Sequence, residues 1–198
     1  MEVQIDSSGG DTEPEDLELL GAIAQGDHDA FRCLMNRHMK RSLALAQRIV
    51  GQADDADEIV QEAFLRVWTT APRWRPDGEA RFTTWLYRVI VNLCLDRRRR
   101  LPFFELDDSY EPVDGAPSSL DALVGRQSRN VVSEALADLP PRQRVAISLY
   151  YFEDMTGPEA ARILDLSLKA VESLLVRGRR ALKQSLLRRG VRDVGDVL

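Results

Sequence analysis

Apolar positions recur every three or four residues along most of this chain, and strand signals are scarce. Between Asp54 and Trp68, residues Ala56, Ile59, Val60, Ala63, Phe64 and Val67 fall at i, i+3, i+4 and i+7, the spacing of one helical face. The same period predicts a short helix over Leu17 to Ala24. A longer one over Asp29 to Val50 opens with Ala30, Phe31, Leu34 and Met35. Another over Arg81 to Arg100 carries Phe82, Trp85, Leu86, Val89, Ile90 and Leu93 on its stripe. Pro72 ends the Asp54–Trp68 segment, and "APRWRPDGEAR" reads as an irregular loop. The period then disappears in "LPFFELDDSYEPVDGAPSS", whose prolines and acids describe a linker. A second helical block starts near Leu120, with a helix to about Leu136, a break at Pro140–Pro141 and a helix to Phe152. The pattern predicts an all-α protein of two small helical domains, over 15–100 and 120–190. A flexible acidic linker over 101–119 joins them, with a disordered acidic tail over 1–14 and a second tail over 191–198.

The last two helices carry the most specific local signal. Thr156 with Glu159 three residues on forms a capping box, and Pro158 is tolerated in a first turn. "DLS" supplies a turn in which Asp165 can take a left-handed conformation, and Ser167 can cap the next helix. There Val171, Leu174, Leu175, Gly178 and Leu182 form a buried stripe, and Lys169, Glu172, Ser173, Val176, Arg177 and Arg180 lie off it. This is the pattern of a helix-turn-helix, with a polar, arginine-bearing outer face suited to the major groove. Glu172 can accept from a cytosine amino group. Lys169, Ser173 and Arg177 can donate to guanine or bridge to phosphate, and Arg179 and Arg180, further along, suit phosphates.

Composition refines this picture. The 198 residues are 44% hydrophobic and 30% charged, with a net charge of −5, a globular composition. The charge is uneven: acids dominate Glu2–Glu18 and Glu105–Asp121, while arginines gather at Arg97–Arg100 and Arg177–Arg189, so local patches set the partner. No apolar run approaches the roughly 20 residues of a membrane span. Met1 to Leu20 holds no Lys or Arg, unlike a signal peptide, so a cytoplasmic location without membrane insertion is expected. Cys33 and Cys94 read as buried free thiols. His28 and His38 stand in no metal or triad spacing, and no phosphate-binding glycine loop occurs. Neither catalysis, a metal nor a cofactor is expected.

Three stretches, "DADEIVQEAFLRVW", "RFTTWLYRVIVNLCLDRRRR" and "LADLPPRQRVAISLYYFEDMTGPEAARILDLSLKAVESLLVRGRRAL", together resemble the extracytoplasmic-function sigma factors of bacteria, from Leu17 to about Leu187. The resemblance implies promoter-specificity subunits of RNA polymerase. One domain would dock on core and read and melt the minus-ten element, and the other would read the minus-thirty-five element. It implies that the outward face of Asp57, Glu58, Gln61, Glu62 and Leu65 docks on the clamp helices of the largest subunit; composition alone also allows a solvated acidic face. Trp74 reads either as core or, by resemblance, as part of a pocket for a base turned out of the duplex, to be read by the amide of Asn92. Arg97, Arg98, Arg99 and Arg100 suit backbone phosphates, or simply the negative end of their helix. By resemblance the linker acids Glu105, Asp107, Asp108, Glu111 and Asp114 would enter the basic active-site cleft of the enzyme. The implied partners are core polymerase, including its flap, promoter DNA and an anti-sigma factor. A stand-alone helix-turn-helix regulator and a sigma-like decoy that binds an anti-sigma factor are the alternatives.

Overall fold

The computed structural model describes residues 15–74, 81–100 and 131–191. Among these every regular element is helical, as the periodicity requires: α1 (Asp16–Ile23), α2 (His28–Val50), α3 (Ala53–Thr70), a 3-10 turn (Ala71–Arg73), α4 (Phe82–Arg100), α5 (131–137), α6 (Pro141–Tyr151), α7 (Gly157–Leu164) and α8 (Leu168–Arg188).

Each boundary has a local cause. Asp27 caps α2 by accepting from the backbone N–H groups of Asp29 and Ala30, satisfying donors that a helix start leaves unpaired. Gly51, at φ 88°, closes α2 in the left-handed region, where glycine carries no Cβ penalty. Glu15 and Glu18 form a capping box at the start of α1.

The first group of helices is α1 to α4. Helices α2, α3 and α4 pack against one another around Leu34, Leu45, Ile49, Val60, Phe64, Leu86 and Ile90, all buried, and α1 lies on α2. Aromatic contacts close the end of this core. Phe31 meets Phe64 and Trp68 edge-on, and His28 stacks on Trp68. Asp16 ties α1 to α2 by accepting from Arg37 at 2.7 Å and pairing with His38 at 2.8 Å. Burial would raise the Asp16 carboxyl, but these two partners outweigh it and hold the group below its ordinary range.

The second group is α5 to α8, with α6 and α8 in close contact. A Cβ on Gly178 would stand 2.8 Å from Ile147 Cγ1, so only glycine permits this helix spacing. Arg144, 1% exposed, donates to the carbonyls of Leu139 (3.2 Å), in the α5–α6 connection, and of Ala137, the last residue of α5. Its third bond reaches the carbonyl of Ile49 at the end of α2, at 2.9 Å.

The two groups are therefore not separate. Helix α6 lies on α2, and α7 lies on α4. This accounts for a difference from the expected α4 stripe. Phe82, Leu86 and Ile90 are buried as predicted, but so are Tyr87, Val91 and Cys94, whereas Trp85, Val89 and Leu93 are only half-buried. A helix with neighbours on both sides buries more than one stripe. Cys94 is buried, and desolvation pushes its thiol up to about 12; Cys33 is half-buried rather than enclosed.

Candidate functional site

The outward face of α3 is built from residues that the core pattern leaves over. Ala56, Ile59, Val60, Ala63 and Phe64 turn inward, which places Asp57, Glu58, Gln61, Glu62 and Leu65 together in solvent. Leu65 is 61% exposed, an apolar atom group ringed by acids and an amide. Glu62 is shared with Arg66 of the same helix at 2.9 Å. Glu58 is shared as well, and its partner is a residue expected to face DNA: Arg97 of α4 contacts both Glu58 and Asp55.

The four-arginine run at the end of α4 is thus divided by its surroundings. Arg97 is held by Asp55 at 2.8 Å through Nε and by Glu58, and the hydrogen bonds it donates to these carboxylates raise its pKa further. Arg98 turns inward and donates to the carbonyl of Ile49, at 3.3 Å, with Val50 at 3.5 Å, so it caps α2. Arg99 is exposed and, among the described residues, pairs with Asp96 one turn back, at 3.4 Å. The side chain of Arg100 lies outside the described residues. Asn92 is exposed on the same helix.

Trp74 is half-buried. Its ring meets Phe82 at 5.8 Å and Trp85 at 5.4 Å, both edge-on, and its buried indole N–H has no partner among the described residues. The ring packs on the core yet sits at its rim. The loop over 75–80 and the acids Glu105, Asp107, Asp108, Glu111 and Asp114 lie outside the described residues.

The helix-turn-helix forms as its capping signals predict. Thr156 and Glu159 close the capping box, with the Glu159 carboxylate accepting from the Thr156 N–H at 2.9 Å and from its hydroxyl at 2.7 Å. These bonds hold the Glu159 carboxyl below its ordinary range. Asp165 takes φ 55° at the turn, and Ser167 caps α8 by accepting from the Ala170 N–H at 3.3 Å. Val171, Leu174, Leu175, Gly178 and Leu182 are buried, so Lys169, Glu172, Ser173, Arg177, Arg179 and Arg180 all stand in solvent on α8. Beside this face runs a groove of about 360 Å³ between α6 and α8, lined among others by Tyr150, Leu168, Glu172, Val176 and Arg179.

One feature of the site has no local sequence signal. Glu153, in the α6–α7 loop, is 4% exposed. It accepts from Arg48 of α2 at 2.8 Å and from the Tyr87 hydroxyl of α4 at 2.9 Å, with Arg41 of α2 at 3.4 Å. Burial first, and then the Glu153 carboxylate, push the Tyr87 hydroxyl well above its usual range, so it stays a donor.

Comparison with known proteins agrees with this layout. Residues 34–101 match the family described as Sigma-70 region 2, and residues 129–182 match Sigma-70, region 4. The chain is 30% identical to the ECF RNA polymerase sigma factor SigW of Bacillus subtilis, over 83% of this chain and 92% of that one. It is 34% identical to SigM of Mycobacterium tuberculosis, over 90% and 88%. Among solved structures, CnrH in complex with the cytosolic domain of CnrY matches with a TM-score of 0.65 and 30% identity, covering 87% of this chain and 97% of that one. The fold is also that of RpoE from Bartonella quintana, solved with the anti-sigma factor NepR, at a TM-score of 0.61 and 19% identity over 80% and 96%.

Proposed function

The chain belongs to the extracytoplasmic-function group of the sigma-70 family of RNA polymerase sigma factors, and from that premise we propose how its own residues do the work. The protein directs core polymerase to promoters and catalyses nothing itself; the enzyme forms the phosphodiester bonds. Asp57, Glu58, Gln61, Glu62 and Leu65 of α3 dock on the clamp helices. A ring of acids around one exposed leucine suits a basic helical partner with an apolar centre. The single observation that carries this reading is that face, left in solvent on a helix whose other side is core.

The remaining roles follow the surfaces. Asn92 and Trp74 hold a base turned out of the minus-ten duplex, the ring by stacking and the amide by hydrogen bonds. Arg99 and Arg100 meet the phosphates beside it, and Arg97 and Arg98 join them only by leaving their present partners. On α8, Lys169, Glu172, Ser173 and Arg177 read the minus-thirty-five element, and Arg179 and Arg180 position the helix on phosphates. The apolar groove beside Tyr150, Leu168 and Val176 suits the flap. An anti-sigma factor that holds the protein off polymerase is the regulator such surfaces invite, and the setting is the cytoplasm, where the enzyme works. The domain limits are 15–100 and 120–190.

A pull-down on core polymerase tests the docking face. Leu65→Asp and Glu62→Lys each lower retention at least about ten-fold, the scale of losing one anchor at an interface centre, with helicity unchanged. Equal retention of both variants and the wild-type chain would remove α3 from the interface.

A further inference from the structure

We propose that Glu153 is the clasp of a closed state of the free chain, in which the helix-turn-helix is held against the minus-ten helix and the two promoter elements cannot both be reached. The inference rests on the reading above.

Three observations carry it. The first is the clasp itself. One carboxylate on the second helical group takes Arg48, Arg41 and Tyr87 from the first, at 2.8, 3.4 and 2.9 Å. Arg48 also lies 4.6 Å over the Phe152 ring, next to Glu153. A buried carboxylate with this many donors holds its elements in one arrangement; removing it leaves the arginines uncompensated. The second is the backbone turn beside it. Asp154 takes φ 54°, a left-handed position that Asp tolerates, directly after the inward-turned Glu153. Asp154 itself reaches Arg41 at only 3.6 Å and is otherwise exposed.

The third observation is distance. Helix α7 packs directly on α4, so the reading helix α8 stands within two helix spacings of Asn92, about 20 Å at about 8–10 Å per spacing. Elements named for positions ten and thirty-five are about 25 base pairs apart, or about 85 Å at about 3.4 Å per pair. The arrangement seen here falls short several-fold. Initiation therefore needs the seam to open. The seam combines the packing of α7 on α4 and α6 on α2 with ion pairs and hydrogen bonds whose groups regain water once parted, and that polar share suits reversible opening.

Polymerase supplies the opening, because it engages the two helical groups at separate places. Free chain stays shut and binds promoters poorly, since only its open fraction is competent.

The test uses the full-length chain. Small-angle scattering of wild-type protein gives a compact particle. Glu153→Ala and Arg48→Ala, which cut the clasp from opposite sides, each raise the radius of gyration while circular dichroism keeps its helical signal. A wild-type particle already extended, or variants as compact as the parent, would overturn the clasp. The converse test replaces the clasp with a covalent bond. Arg41→Cys with Asp154→Cys, in a chain whose Cys33 and Cys94 are serines, is bridged by a short bis-maleimide and assayed with core polymerase on genomic DNA. The unbridged double variant initiates and the bridged one does not. Equal initiation by both overturns the gating role. Failure of even the unbridged chain and the wild type would instead reject the sigma reading, which the scattering result does not depend on.

Discussion

Single residues decide how firmly each helical group is tied together. Arg144 is the clearest case: a guanidinium with three carbonyl partners and almost no exposure. Desolvation first, and then the nearby Arg98 charge, depress its pKa to about 10, yet it still serves three carbonyls, of which that of Ile49 is shared with Arg98. Arg144→Ala takes the side-chain donor from the Ala137 and Leu139 carbonyls and leaves Ile49 to Arg98 alone, and urea unfolding will show a loss of about 3 kcal/mol. Asp16 gives a pH-dependent tie. Its folded pKa lies below the unfolded 3.8, so its contribution is complete above that value and is lost as pH falls through the folded pKa. Thermal unfolding of Asp16→Asn against wild type will differ at pH 7 by about 1–2 kcal/mol, and the difference will shrink towards pH 2–3. A difference that does not vary with pH would mean that the carboxylate charge is irrelevant to α1.

At the scale of elements, the interplay of α6 and α8 sets the geometry of the DNA-facing helix. Alanine is the better helix former by about 1 kcal/mol, so Gly178→Ala would stabilise an isolated α8. Here the added methyl meets the buried Ile147 at 2.8 Å, and overpacking of this kind costs about 1–3 kcal/mol. Gly178→Ala will therefore be net destabilising in chemical denaturation. Side chains on the outer face of α8 behave differently. Arg177→Ala leaves folding intact and costs about 1–3 kcal/mol in promoter binding by holoenzyme. If the loss is confined to one upstream base pair, Arg177 reads a base; if it is uniform across sequences, it holds a phosphate. The elements themselves were legible in the chain. The capping box at Thr156, the left-handed Asp165 and the Ser167 cap are local chemistry, and each is where the residues place it. The burial of α4 was only half legible, because Tyr87, Val91 and Cys94 are covered in a helix that also meets α7, and one helix's periodicity cannot report a second neighbour.

For the whole molecule, the all-helical class and the sigma-70 membership were readable from motif order and spacing. The seam between the helical groups was not. Arg48 and Glu153 are 105 residues apart, and Glu153 in "YYFEDMTG" looks like any loop acid until a fold brings three donors to it. Arg97 tells the same story at shorter range: a residue expected to hold DNA is occupied by Asp55 and by Glu58, itself a candidate for docking on polymerase. The free protein thus pairs a residue proposed for the nucleic-acid surface with its own acids. Transcription by core polymerase on genomic DNA, with and without the purified chain, tests the central claim most directly. The account predicts new starts that appear only with the chain and that share two upstream sequence elements about one promoter spacing apart. An unchanged set of starts in the presence of a folded chain would contradict it.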